Sequence, residues 1–234
     1  MIFSMHQPCY FPWLGLLSKT AGSDVLILLD EVQLSDSSFQ HRNQFLSMDG
    51  KVRYLSIPFI KQHYRDKPLK ELKIADTNWG SKHRNFIHEN YRKHPFFEPV
   101  FSEVDSIFAN KSNYLADIIL QSMEVSMRLL NINTRTVLQS QLAYDHQAKK
   151  EQLVLNLLKL NNATHYLSGT GAKSYQDAAN FTAAGIRLEY ASFSHPGYVQ
   201  KNSTQFIPGL SCLDLLFNVG IEQARLLLSG ITSP

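Results

Sequence analysis

Four short segments of this chain carry side chains whose chemistry goes beyond packing. His6 and Gln7 follow the apolar run Ile2 to Met5 and precede a turn bracketed by Pro8 and Pro12. An imidazole there, with its ordinary pKa near neutrality, suits a general base and equally suits a buried, hydrogen-bonded core residue. The same turn presents Tyr10 and Trp13, flat enough to wall a ring. Asp30, Glu31 and Gln33, then Gln40, His41, Arg42, Asn43 and Gln44, form a second group. One guanidinium with carboxylates and amides can orient a polyhydroxylated or phosphorylated ligand, although a solvated loop has the same composition. The third group, Ser168-Gly169-Thr170-Gly171, puts two glycines and two hydroxyls before an expected helix, where free backbone N–H groups can hold a phosphate or carboxylate. A plain turn capped by Ser168 or Thr170 is the alternative, and Ala172 before Lys173 excludes a Walker A loop. The fourth is Ser192 to Gln205, with His195 as a second candidate base.

Other chemistries find less support. His88-Glu89 is followed by Arg92 where a zinc-protease helix needs histidine, and His83 and His88 point about 140° apart on a helix, so no metal site is expected. A magnesium ion on Asp30 stays an option, and the pattern identifies no cofactor. No G-x-S-x-G occurs, and nothing in the sequence around Cys9 favours its thiolate. Tyr64, Trp79 and Tyr91 lie among the charges of Lys61 to Lys73 and Lys82 to His94, an interleaving that can dock tRNA but reads better as a solvated face with snorkelling side chains.

The elements that must position these groups alternate. Ile2–Met5 reads as a strand, the stretch from Trp13 to Ala21 as a helix stopped by Gly22, and Val25–Leu29 as a strand buried on both faces. Gln33 to Asp49 shows no period and is expected as a long loop, with Asp49-Gly50 as a hairpin turn before a strand over Val52–Ile57. A short strand at Leu72–Ile74 and helices over Trp79–His94 and Asn113–Leu130 fill the middle. Strands over Thr134–Leu138, Thr164–Leu167 and Ile186–Tyr190 then alternate with helices over Lys149–Leu160 and Ala172–Ala184, and helices over Ser211–Phe217 and Ile221–Leu228 follow. This order specifies an α/β, Rossmann-like, mainly parallel sheet with helices on both faces and a helical middle segment, in one domain spanning 1–234. In such sheets ligands lie beyond the carboxyl ends of the strands, where all four groups fall.

At 234 residues, 44% hydrophobic and 18% charged, the chain has the balance of a globular domain. No apolar run approaches a membrane span and no basic-then-apolar leader is present, so a cytoplasmic protein without a membrane span is expected. Cys9 and Cys212 read as reduced. A net charge of +3 suits an acidic small-molecule substrate such as a nucleotide or sugar phosphate.

The stretches His6 to Gln33, Phe39 to Phe45 (FQHRNQF), Tyr166 to Tyr175 (YLSGTGAKSY), His195 to Gln200 (HPGYVQ) and Phe206 to Gly220 together resemble the WbqC-like family of bacterial proteins. The family occurs in gene clusters for O-antigen and other surface polysaccharides. The resemblance therefore implies a transferase-like role in lipopolysaccharide or other polysaccharide biosynthesis, on a nucleotide sugar or sugar phosphate and by acyl or aminoacyl transfer. The implied alternatives are a non-catalytic sugar-nucleotide-binding protein and a tRNA-dependent aminoacyl transferase. On this reading His6, Asp30 and His195 are the catalytic candidates, and Gln7, Tyr10, Trp13, Gln33, Arg42, Asn43, Ser168, Gly169, Gly171, Tyr175, Tyr198 and Gln200 bind substrate. Cys9 stands where a polar residue is usual in the family and Glu31 replaces a second aspartate, which weakens a two-aspartate metal site. A looser similarity links Pro12 to Leu16 with the turn of nucleotidylyltransferase-like enzymes, but Leu16 occupies the place of a catalytic histidine.

Overall fold

In a computed structural model that describes residues 1–35 and 39–230, the two early apolar runs become β1 (Ile2–His6) and β2 (Val25–Leu28). They pair in parallel, Phe3 opposite Val25 and His6 opposite Leu28, with α1 (Leu14–Ala21) as the crossover. A long excursion follows: an antiparallel hairpin of β3 (Arg42–Leu46) and β4 (Val52–Ser56), then α2 (Trp79–Tyr91), α3 (Phe97–Phe108) and α4 (Leu115–Leu129). The chain re-enters the sheet at β5 (Arg135–Leu138) and continues through α5 (Glu151–Leu160), β6 (His165–Ser168), α6 (Ala178–Ala183) and β7 (Arg187–Tyr190). It closes with α7 (Cys212–Ser229), broken at Gly220, whose φ of 80° suits glycine.

All pairings in the main sheet are parallel, in the order β5-β2-β1-β6-β7. The chain thus builds outward from β1 first on one side and then on the other, the doubly wound arrangement of an α/β fold. Successive side chains of a strand point to opposite faces, and here both faces are covered. Leu26 and Leu28 pack with α1, α4 and α7 on one side, while Phe3, Met5, Val25 and Ile27 meet Leu157 of α5 and Phe181 of α6 on the other. That two-sided burial is why β1 and β2 read as continuous apolar runs rather than alternating ones.

Three local differences from the sequence expectation have physical causes. The segment expected as a long loop contains β3, whose buried positions are Asn43, Phe45 and Leu46; because the first of them is polar and the last two are adjacent, hydropathy does not alternate. No element is expected over 97–108, yet α3 forms there, with Phe97, Val100, Phe101, Val104 and Ile107 buried at helical spacing. Pro99 falls in its first turn, where no intrahelical N–H bond is required. The helix expected over Ala172–Ala184 shrinks to α6, preceded by a 3-10 stretch over Thr170–Tyr175, because the Asp177 carboxylate accepts from Ala179 N and restarts the chain as a new helix. Leu72–Ile74 supplies only isolated bridges, Ile74 to Phe59 and Lys73 to Tyr114. Among the described residues no helix is long and apolar enough to cross a membrane, and no group of three or more His, Cys, Asp or Glu side chains could hold a metal ion.

Candidate functional site

The direction of chain winding reverses between β1 and β6, and there the sheet opens. Pairing of β1 with β2 runs to His6–Leu28, whereas pairing with β6 stops at Ser4–Leu167. Just past that point the carbonyl of Met5 accepts a hydrogen bond from Nζ of Lys19 on α1, at 2.7 Å. The crevice beyond is a cavity of about 290 Å³. Its polar lining comes from both strand ends: His6, Gln7 and Lys19 on one side, Ser168, Gly169 and Tyr175 on the other. Leu29, Val154, Tyr166 and Ala172 form apolar walls, and Gly171 completes the turn.

The histidine has a defined tautomer. Its Nδ1 lies 2.7 Å from the carbonyl oxygen of Gln7, which can only accept, so Nδ1 carries the proton and Nε2 keeps its lone pair. Burial, and next the charge of Lys19, push its pKa down to about 3, so the ring is neutral in the free protein. Burial lifts the Cys9 thiol to about 12; it donates to the Gln7 carbonyl at 3.4 Å and sits 3.7 Å from His6 Nδ1. A thiol so held is inert at neutral pH. Lys19 is only 6% exposed, and burial draws its pKa down to about 8. Tyr166 is pushed up to about 12 by burial, and Tyr175 is raised from its ordinary value for the same reason. The Gly169 turn does not open an α-helix, and Ser168 Oγ donates to Gln176 Oε1 at 3.0 Å, so an anion held here relies on side-chain charge rather than on a helix terminus.

Of the residues expected at a site, the fold gathers His6, Gln7, Ser168, Gly169, Gly171 and Tyr175 around this cavity. The others lie in three separate settings. Asp30, buried at the end of β2, accepts from Ser140 N at 3.0 Å and Ser140 Oγ at 2.6 Å, tying β2 to the segment after β5. Nearby, Gln33 donates to the carbonyl of Arg65 and bridges Pro68. In the hairpin, Arg42 stacks its guanidinium 4.8 Å from the centre of the Tyr54 ring, and Asn43 Nδ2 donates to the carbonyls of Tyr10 and Phe11 at 3.1 and 2.6 Å. Tyr10 is fully buried with its hydroxyl 3.0 Å from His83 Nδ1, so it faces the core. The third setting is the segment between β7 and α7. There His195 packs against Phe193 and Phe206, and Phe193 meets the edge of Trp13 at 5.2 Å. Tyr198 and Gln200 both bond the buried Asp214 carboxylate, at 2.8 and 3.3 Å, which anchors this segment to α7. Trp13 folds back across Gly15, where a Cβ would sit 2.2 Å from its indole.

Sequence reasoning missed Lys19. On α1 it lies about 200° around from Leu17, the side that a one-sided apolar stripe assigns to solvent. The whole span Leu14 to Thr20 is nevertheless buried, because the helix is covered both by the sheet and by its helical neighbours. The available signal was the shortness of α1 between two buried strands, which leaves its only charged residue little route to water. A larger cavity, about 530 Å³ between α4 and the β2–β5 edge, is walled mainly by Leu28, Leu120, Met123, Met127 and Ile132 and contains none of the expected site residues.

Comparison with known proteins extends over almost the whole chain. A family model described as the WbqC-like protein family matches residues 7–226. An uncharacterized protein of Mycobacterium tuberculosis, Rv1507c, is 28% identical over 229 residues, covering 92% of this chain and 93% of that protein. No solved structure matches.

Proposed function

The chain belongs to the WbqC-like protein family, matched over residues 7–226, and from that premise we propose a transferase that binds a phosphorylated or nucleotide-linked sugar at the crevice between β1 and β6. The observation that carries the reading is the cavity itself, placed where winding reverses at the carboxyl ends of a doubly wound parallel sheet, the position at which such sheets bind ligands. Its volume, about 290 Å³, lies at the lower edge of ligand pockets, which run from about 300 Å³ upward. It therefore encloses one sugar ring or a smaller group, and a nucleotide attached to that ring lies outside. The reaction in keeping with surface-polysaccharide synthesis is acyl or aminoacyl transfer to a sugar hydroxyl or amine: the acceptor attacks the acyl carbonyl, the bond to the leaving group breaks, and the acceptor's proton passes to a base. His6 offers the free Nε2 for that proton. A ligand anion beside Lys19 offsets the charge that helps depress the histidine and moves it back toward a useful basicity.

A binding protein without catalysis is the second reading, favoured by one observation: in the free protein His6 and Cys9, at about 3 and about 12, are both far from neutral titration. Thermal-shift measurement against nucleotide sugars, sugar phosphates and acyl-coenzyme A, followed by turnover assays on whatever binds, separates the two. Stabilisation by a sugar ligand, lost in Gly169→Val, with product formation lost in His6→Gln, supports the transferase. Stabilisation without turnover supports the binding protein, and no stabilisation by any sugar ligand refutes both.

A further inference from the structure

Lys19 is a buried cation facing a cavity that contains no charge to balance it. The other titratable groups lining it, His6 from β1, Tyr166 from β6 and Tyr175 from the 3-10 stretch, are neutral near pH 7, and so is Cys9, which lies near Lys19 outside the lining. Among the described residues no aspartate, glutamate or arginine lines the cavity and no carboxylate pairs with Lys19. One of its three protons goes to the Met5 carbonyl, leaving two donors without a protein acceptor among the described residues. A Cβ on Gly169 would stand 3.9 Å from Nζ, so the bare backbone of that glycine keeps the space beside the ammonium open. A buried, uncompensated ammonium is costly, and natural folds retain one where an anion completes the pair.

We infer that Lys19 is the anion-binding residue of this crevice, and that the enclosed part of the ligand carries a single carboxylate or phosphate group on a body no larger than one sugar ring. The inference rests on the crevice being the ligand site and narrows what enters it: the negative charge sits at the deep, protein-enclosed end, against Lys19, and not only on a nucleotide outside. Binding is then linked to protonation of the lysine. Below about pH 8 the ammonium is present and affinity is level; above it, affinity falls about tenfold per pH unit because the protein must first take up a proton. In the free protein His6 is unprotonated throughout that range, so it contributes none of the fall in affinity above about pH 8.

The test uses the full wild-type chain. Trace reductive methylation followed by mass spectrometry reports the reactivity of each lysine, with inorganic phosphate, acetate or chloride added at matched ionic strength. The expected result is that phosphate or acetate suppresses modification of Lys19 about tenfold or more while surface lysines such as Lys82 and Lys159 are unchanged; which anion protects distinguishes a phosphate subsite from a carboxylate subsite. Equal modification of Lys19 in all three salts overturns the inference. Lys19→Arg, which keeps the charge, is expected to bind the protecting anion with no loss between about pH 8 and 10, and Lys19→Met to lose binding. If a nucleotide sugar stabilises the chain while neither anion protects Lys19, the anion role fails and the sugar-ligand reading stands. If the anions protect Lys19 and no sugar ligand binds, the reverse holds.

Discussion

Acid should loosen the turn that carries the candidate site through His83, a residue of α2 that joins three elements. It is 5% exposed, its Nε2 lies 3.2 Å from the carbonyl of Ser56 at the end of β4, and its Nδ1 lies 3.0 Å from the hydroxyl of Tyr10 in the turn after β1. The carbonyl can only accept, so Nε2 carries the proton and Nδ1 accepts from Tyr10. Burial pushes the pKa of this ring down to about 4. An unfolded histidine takes up its proton near 6.5, so the stability contributed by the neutral ring is complete above that pH and is lost as pH falls toward 4. The difference corresponds to roughly 3 kcal/mol, most of which is gone by about pH 4.5. Urea unfolding of wild type and His83→Gln at about pH 7.5 and about pH 4.5 isolates this contribution, because the other buried histidines act equally in both proteins. Glutamine can donate to Ser56 and accept from Tyr10 without titrating. Wild type should lose about 2–3 kcal/mol more than the variant between the two conditions; equal losses would refute the neutral state of the buried ring at low pH.

Further perturbations test how the scaffold is held. Gly80→Ala places a methyl group 2.0 Å from the carbonyl oxygen of Phe108, forcing α2 and α3 apart, and is expected to cost about 2–3 kcal/mol in chemical denaturation. Asn43→Ala leaves the carbonyls of Tyr10 and Phe11 without their shared donor at a turn where Phe11 has a φ of 39°; a loss of about 2–4 kcal/mol is expected, and the wild-type melting temperature would contradict it. Asp30→Ala removes both acceptors of Ser140 and is expected to cost about 2–3 kcal/mol, with hydrogen exchange rising first at residues 139–142, where the segment after β5 is tied down.

What the sequence determined by itself was the alternation of strand and helix, and with it the sheet class and the end of the sheet where the candidate site lies. Val25–Leu28 and Ile2–Met5 are legible because a strand covered on both faces must be apolar throughout, a local property that needs no knowledge of neighbours. His6 and Gly169 were legible as residues at strand ends for the same reason. Only the tertiary structure decided which of those ends meet. Strand order places β6, rather than β5, beside β1 on the side away from β2, so His6 and Ser168 share the crevice, while His195, Arg42 and Asp30 lie outside its lining. Hydropathy also misplaces Asn43 and Lys19. Each is a polar group buried by long-range contacts, one bonding the backbone of a distant turn and the other a strand carbonyl that β6 leaves free. The energy of burying a polar atom depends on the partner it finds, and that partner is close in space while remote in sequence.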